Sequence, residues 1–296
     1  MYSEIAANKR KTWFLVVIFT AVIVALGFFF GKEYGDPYGG IVLATAFATI
    51  MSLTGYFQGD SIALASAGAQ RIEKKDSEYV WNLVENLAIA SGTPMPAVYL
   101  IEDPSGNAFA TGRDPKHASI AITTGLVRML SKAELEGVIA HEMSHVRNYD
   151  VRVMTIVVVL VGIVMLLSDW MLRGMFRRRG GNNGGEDGAM LFLVIGIVLA
   201  ILSPIFAQLI KMAVSRQREY LADASGALLT RYPEGLASAL QKIADADLPL
   251  KSANHATAHL FLANPFDPHV TKKFEQLFST HPPILDRIKR LREMGL

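Results

Sequence analysis

Four uncharged, strongly apolar stretches interrupt the chain, and their lengths predict helices that cross a membrane. They cover residues 12–31, 37–59, 153–168 and 188–210. Three of them hold 20 to 23 residues, which is enough to span a hydrocarbon core of about 30 Å at about 1.5 Å per residue. The third holds 16 residues and begins inside a longer predicted helix, so a buried core helix is an open alternative for it.

The polar stretches between these runs predict one domain of ordinary size that a membrane hairpin interrupts. Residues 60–152 and 211–296 together comprise 179 residues and contain no internal repeat. The predicted organisation is therefore an N-terminal transmembrane hairpin over 1–59, the first part of the polar domain over 60–152, a second transmembrane hairpin over 153–210, and the second part of the polar domain over 211–296.

The basic residues around the first run predict a cytoplasmic N-terminus. Lys9, Arg10 and Lys11 precede that run, whereas residues 32–36 after it are nearly charge-balanced. The run is too long for the apolar part of a signal peptide, so we expect it to stay as an anchor. An arginine cluster, Arg173 with Arg177 to Arg179, would then lie outside. Either the first hairpin determines the orientation in spite of this cluster, or the third and fourth helices do not fully cross the membrane.

Composition narrows the possible chemistry. Hydrophobic residues make up 51% of the chain and charged residues 19%, which argues against a purely soluble protein. The chain has no cysteine, which excludes disulfide scaffolds, thiol catalysis and thiolate metal sites. A net charge of +2 gives no indication that nucleic acid is a partner.

The strongest local motif is His141-Glu142-Met143-Ser144-His145, in a segment that predicts a helix. The helix starts at Ser131 with a Ser-x-x-Glu capping box, and we expect it to continue past Asp150 into the third apolar run. Positions i and i+4 share one face of a helix, so both imidazoles can reach one ion. A zinc ion with an open position activates water, and the Glu142 carboxylate could accept the proton of that water.

A third ligand is needed, and Glu219 is the best candidate. It follows the fourth apolar run in another predicted helix, with Asp223 one turn later, where Asp223 could accept a ring N–H from a ligand histidine. The two predicted crossings between His145 and Glu219 would return the chain to the same side of the membrane. The alternative for Glu219 is a solvated helix face on which arginine and glutamate pair.

Short segments between the first hairpin and the motif predict a small α+β unit. Residues 77–90 carry apolar positions on one helical face and are followed by Gly92. Residues 97–101 and 118–122 predict short strands, with 107–111 between them. A small sheet followed by the helix of the His-Glu-x-x-His motif is typical of an α+β, zincin-like domain.

These motifs occur together with Asn107-Ala108-Phe109-Ala110 and with His281-Pro-Pro followed by Arg287. In this combination the chain resembles the HtpX family of membrane zinc metalloproteases, of the gluzincin type and related to the CAAX prenyl proteases. The resemblance spans essentially the whole chain. It implies a zincin-like protease domain fused to about four transmembrane helices, with one Zn²⁺ per subunit.

The resemblance also implies a role for each matching residue. His141, His145 and Glu219 would bind zinc, Glu142 would be the catalytic base, and Asp223 would support a ligand. His281 would help to stabilise the oxyanion and Arg287 would brace the site. Asn107, Ala108 and Phe109 would lie at an edge strand to which an extended substrate adds.

A second histidine pair, His255 and His259, departs from this pattern. The two residues are also spaced i, i+4 but lack the intervening glutamate, and no nearby carboxylate completes a site. A segment near the cleft is the favoured interpretation, and a rival metal site is the alternative.

The resemblance implies a multi-pass protein of the cell inner or plasma membrane, with its protease domain in the cytoplasm. Its partners would be the lipid bilayer and unfolded or damaged membrane proteins, which it would hydrolyse. The alternatives are a non-catalytic membrane scaffold that binds metal, and an intramembrane-cleaving metalloprotease. Arg147, Asp150 and Arg152 after the motif argue against the latter, because charge is costly at bilayer depth. A prenyl-protein protease is a weaker variant.

Overall fold

The computed structural model describes residues 2–160, 162–163, 216–246, 262 and 282–295. The fourth apolar run and the histidines at 255, 259 and 281 lie outside these described residues. Helix α1 spans Tyr2–Glu33 and helix α2 spans Pro37–Ser66. Both are long and apolar enough to cross a membrane. The total number of transmembrane helices stays a prediction.

The two N-terminal helices form a close antiparallel hairpin. The chain reverses over residues 34–36, and the Asp36 carboxylate caps α2 by accepting the Gly39 N–H at 2.9 Å. Near this turn Gly40 of α2 faces Gly31 of α1, where a Cβ on Gly40 would lie 2.9 Å from the Gly31 Cα. Glycine at this position therefore allows the two backbones to approach closely.

A small mixed sheet follows the hairpin. Strand β1 is Gln70–Arg71, helix α3 is Glu78–Ser91, and strands β2, β3 and β4 are Ala97–Ile101, Ala108–Asp114 and His117–Thr123. The strand order is β1-β2-β4-β3, with β2 parallel to β4 and the other two pairs antiparallel. Strand β3 is therefore an edge strand of the sheet in the part of the chain that the structure describes. Helix α3 ends at Gly92 in a left-handed conformation, close to the predicted boundary.

The two faces of the sheet pack against different layers. Ala108, Ala110 and Ile120 belong to the core that the sheet shares with α3 and with later helices of the chain. Phe109 and Ala121 point the other way, into a core formed with α1, α2 and the helix that begins at residue 150. This alternation follows from the two-residue period of a strand. The sheet is thus sandwiched between the N-terminal helices and the remaining domain.

Helix α4 spans Thr124–Met129, and helix α5 spans Lys132–Arg147. The capping box forms at the start of α5, with the Ser131 N–H donating to the Glu134 carboxylate at 2.7 Å. Helix α6 covers residues 150–160 and so includes the start of the third apolar run, where the side chains of residues 153–160 are buried. Thr155 of α6 accepts the Gly112 N–H at 3.1 Å, which ties this helix to β3.

The prediction that one helix runs from Ser131 past Asp150 is wrong. Helix α5 ends at Arg147, and the N–H of the C-cap residue Asn148 donates to the Ser144 carbonyl. Tyr149 then adopts a left-handed conformation with φ 61°, and α6 starts at residue 150. Neither proline nor glycine marks this break, so the sequence pattern does not reveal it.

Three further helices complete the described fold. Helix α7 is Arg216–Thr230, α8 is Pro233–Ala246 and α9 is Ile284–Arg292. Helices α7 and α8 pack on α5, and α9 packs on α8 and α7. A Cβ on Gly226 would lie 2.9 Å from the His141 backbone nitrogen, so glycine at this position lets α7 lie close to α5.

Candidate metal centre

Helix α5 supplies two histidines that face each other from consecutive turns. The Nε2 atoms of His141 and His145 are 3.2 Å apart, and the two rings meet edge to face. Both side chains are almost fully buried. The i, i+4 spacing on one continuous helix is what directs the two rings to the same point.

Helix α7 brings Glu219 to the same point from a distant part of the chain. Its Oε2 lies 3.8 Å from His141 Nε2, and its Oε1 lies 3.4 Å from His145 Nε2. The three side chains offer one ligand atom each, all within 4.8 Å of one another. Two imidazole nitrogens and one carboxylate oxygen, with a fourth position left open, are a donor set that suits a catalytic zinc ion. The group could therefore hold a metal ion.

Asp223, one turn after Glu219, contacts the other side of the His141 ring. Its Oδ1 lies 2.9 Å from His141 Nδ1. A carboxylate at Nδ1 favours the tautomer that leaves Nε2 free to act as a ligand. Burial would raise the pKa of Asp223, but the positive charge of Arg287 and the hydrogen bonds from His141 and Arg287 lower it to about 2.

Arg287 reaches Asp223 from α9 and is itself buried. Its Nε and Nη2 donate to the two Asp223 oxygens at 2.9 and 2.7 Å. Its Nη1 donates to the Leu262 carbonyl at 3.1 Å and lies 3.7 Å from Glu219 Oε2. The structure thus brings Arg287 next to the metal-site carboxylates, although from the sequence alone it is a polar-face residue of a surface helix.

Glu142 lies next to the three candidate ligands and is also buried. The backbone of Ala110 on β3 acts to lower the pKa of this carboxyl group. Burial raises the pKa of Glu142 to about 8, and the nearby Glu219 charge acts in the same direction. A bound cation would favour the ionised carboxylate instead. In that form Glu142 could accept a proton.

His145 has a carboxylate partner that the sequence analysis did not identify. Asp150, the first residue of α6, places its Oδ2 3.2 Å from His145 Nδ1. Burial would lower the pKa of His145, but the Asp150 hydrogen bond and the Glu219 charge raise it to about 9. Asp150 is also paired with Arg218 of α7 and hydrogen-bonded to Asn8 of α1. In the sequence, the only indication is an aspartate shortly after the motif, whose charge argues against a position at bilayer depth.

The Asn107–Phe109 segment lies at the start of β3, and its backbone and side-chain groups point in different directions. The Asn107 N–H donates to Thr123 Oγ1 at 2.9 Å, and the Asn107 side chain accepts the Ala108 N–H at 3.1 Å. The Phe109 side chain is buried on the sheet face that packs against the N-terminal helices. The Ala108 carbonyl, directed away from β4, accepts the Leu262 N–H at 3.0 Å. Backbone groups of this strand, rather than Phe109, are therefore directed toward the site.

Comparison with known proteins identifies the family. Residues 74–295 match the model of Peptidase family M48. Protease HtpX homolog from Thermoanaerobacter pseudethanolicus is 46% identical over 302 residues, covering 100% of this chain and 98% of that protein. Protease HtpX homolog from Tropheryma whipplei is 46% identical over 297 residues, covering 100% and 99%.

The fold also resembles a solved structure. The crystal structure of S. mikatae Ste24p matches with a TM-score of 0.52 at 19% identity, over 98% of this chain and 67% of that one. At this identity the likeness concerns the fold alone. The family match, the full-length relatives and the two long apolar helices agree with one another. The chain belongs to Peptidase family M48 and is a membrane-anchored metalloendopeptidase.

Proposed function

We propose that the protein is a zinc-dependent endopeptidase in which His141, His145 and Glu219 bind the ion and Glu142 is the catalytic base. The observation that carries this proposal is the convergence of the three donor atoms, all within 4.8 Å of one another, beside the buried Glu142. Zinc, when bound, supplies a Lewis acid that polarises the scissile carbonyl and makes water more acidic.

The chain's own residues carry the proton transfers. The Glu142 carboxylate takes a proton from the attacking water and delivers it to the leaving amine. Asp223 holds the His141 ring by its Nδ1 atom, and Arg287 holds Asp223. His281, by the family resemblance, would help to stabilise the oxyanion, and Arg287 would brace the site.

The substrate would bind in an extended conformation along β3. Strand β3 is the edge of the described sheet, and its Ala108 carbonyl is directed away from β4, where it accepts the Leu262 N–H. A substrate strand would take the place of that contact. A peptide that adds here as a further strand has its backbone held beside Glu142. In this arrangement Asn107, Ala108 and Phe109 contribute through the strand that they begin. Unfolded chains fit such a site because their backbone hydrogen-bonding groups are unpaired.

The membrane arrangement supports a specific class of substrate. We infer that the protease domain, formed by residues 60–152 and 211–296, lies in the cytoplasm between transmembrane hairpins at 1–59 and 153–210. Lys9, Arg10 and Lys11 before the first helix favour this orientation in the inner or plasma membrane. A site held close to the bilayer would hydrolyse misfolded or damaged membrane proteins.

The proposal is tested by hydrolysis of an unfolded substrate in detergent, with metal content measured on each protein. Wild type and Glu142→Ala should both retain zinc, and only wild type should cut. Glu136→Ala is the matched control, because Glu136 lies on the same helix outside the site and pairs with Lys132. It should cut as wild type does. Zinc retained by a wild type that cuts no unfolded protein would instead support a metal-binding scaffold, and cuts only in the apolar centre of substrates would support intramembrane cleavage.

A further inference from the structure

One polar side chain of the first helix is buried next to the segment that joins α5 to α6. Asn8 lies in α1 and is 3% exposed, whereas its neighbours Lys9 and Arg10 are exposed. Its Nδ2 donates to Asp150 Oδ1 at 2.8 Å and to the Asn148 carbonyl at 2.9 Å. Both acceptors belong to the break between α5 and α6. An amide buried at the end of a membrane helix needs such partners, and here they lie next to a candidate metal ligand.

The two oxygens of Asp150 have separate partners. Oδ2 contacts His145 Nδ1, and Oδ1 accepts from Asn8 and pairs with Arg218. The carboxylate is thus fixed from α1 and α7 at once. Arg218 immediately precedes Glu219, so the same helix that supplies the third ligand also holds this carboxylate.

Each of the two candidate histidine ligands is therefore held at its Nδ1 atom by a buried aspartate. His141 is held by Asp223, which Arg287 holds in turn. His145 is held by Asp150. The partners of Asp150 differ, since one of them comes from the N-terminal helix. A carboxylate partner fixes the orientation of an imidazole ligand, and removing such a partner typically costs about 10- to 100-fold in metal affinity.

We propose that Asn8 is a positioning residue of the metal centre: it orients Asp150, which orients His145, so that zinc affinity depends on the first membrane helix. This inference rests on the proposed zinc site. It assigns α1 a role beyond anchoring, because the helix completes a chain of contacts from the membrane hairpin to a ligand. Detaching α1 from the break at residues 148–150 would then weaken the metal site without touching a ligand.

The test is a double-mutant cycle on the full chain in detergent, with zinc affinity measured by competition with a chromogenic chelator. Asp150→Ala should weaken zinc binding about 10- to 100-fold. Asn8→Ala should weaken it about 3- to 10-fold, since it acts one contact further away. In the double variant the loss should equal that of Asp150→Ala alone, because Asn8 acts only through Asp150. Asn86→Ala, at an exposed asparagine of α3, is the matched control and should bind as wild type.

Several outcomes would overturn the inference. Unchanged zinc affinity in Asn8→Ala, with only a lower melting temperature, would leave Asn8 a purely structural residue. Fully additive losses in the double variant would show that Asn8 does not act through Asp150. If Asn8→Ala does not accumulate, Asn8→Asp keeps the volume but places a carboxylate opposite Asp150. It should weaken zinc binding at least as much, and wild-type affinity there would also overturn the inference.

The same assay separates this inference from the proposed function. Wild type should bind zinc, and His145→Ala should bind at least 100-fold more weakly. If wild type binds no zinc, or if His145→Ala binds as well as wild type, the proposed site itself fails and the inference fails with it. If both controls behave as expected and Asn8→Ala has no effect, only the inference fails.

Discussion

The Arg287 guanidinium donates two hydrogen bonds to the two oxygens of the Asp223 carboxylate, at 2.9 and 2.7 Å. Both side chains are almost fully buried, and they join α9 to α7 behind the candidate ligand His141. Burial would lower the pKa of Arg287, but the charges of Asp223 and Glu219 raise it. The pair therefore stays ionised, and each partner depends on the other.

Replacing Arg287 should destabilise the protein strongly. Arg287→Met leaves the Asp223 charge buried without its main partner, which typically costs about 3–5 kcal/mol. Arg287→Lys should rescue only part of this, because an ammonium group cannot make the same two-pronged contact. Chemical denaturation of the metal-free protein in mild detergent measures the free energy of unfolding of both variants and so checks both expectations.

Arg292→Met is the matched control for this prediction. Arg292 lies on the same helix and pairs with Glu234 at 3.2 Å, but its side chain is 50% exposed. Exposed pairs contribute at most about 1 kcal/mol. Equal losses in the two variants would mean that burial of the Arg287–Asp223 pair carries no special cost.

The Asp223 carboxylate should also make the protein sensitive to acid. Its pKa is lowered from 3.8 to about 2, so the folded state favours the ionised form. The stability that this provides is present above about pH 4 and is lost as the pH falls toward 2, and it amounts to about 2 kcal/mol. The metal-free wild type should therefore lose stability between pH 4 and 2 more steeply than Asp223→Asn. Parallel curves for the two proteins would contradict the prediction.

The sequence could predict the parts of the site that follow local rules. The i, i+4 spacing of His141 and His145 depends only on helical geometry, and the strand at residues 97–101 follows its apolar pattern. Pairing Glu219 with the histidines requires a further assumption about membrane topology, namely that two crossings return the chain to the same side.

Other features depend on tertiary contacts, which local patterns do not contain. The break at Tyr149 has no proline or glycine to mark it, yet it turns Asp150 back toward His145. Asn8 lies in the polar first part of α1, directly before the basic residues, and its partners lie about 140 residues away along the chain. Arg287 is indistinguishable from a surface arginine until α9 packs against α7.

Adding a methyl group at Gly226 should weaken metal binding from outside the site. A Cβ there would lie 2.9 Å from the His141 nitrogen and 3.2 Å from the Ala140 carbonyl carbon, so α7 must move away from α5. Glu219 lies two turns earlier on the same helix and would move with it. We expect Gly226→Ala to cost about 1–3 kcal/mol in stability and to weaken zinc binding several-fold.

Ser225→Ala provides the comparison for Gly226→Ala. Ser225 is the preceding residue of α7 and is only half-buried, so this change should leave zinc affinity as in wild type. Chelator competition measures the affinity, and thermal unfolding measures the stability. If Gly226→Ala loses stability but binds zinc normally, α7 accommodates the methyl group without displacing Glu219.

Removing the metal should make stability depend on pH through Glu142. Without an ion, burial raises the pKa of Glu142 from 4.5 to about 8, so the folded state favours the neutral carboxyl. The associated stability is complete below about pH 4.5 and is lost as the pH rises through about 8. The chelator-treated wild type should therefore lose melting temperature between pH 5 and 8.5 more steeply than Glu142→Gln, which cannot ionise there. Added zinc should reduce the difference, because its charge favours the ionised carboxylate. Identical pH profiles for the two metal-free proteins would mean that Glu142 is already ionised in the folded state, as it would be if water reached the carboxylate.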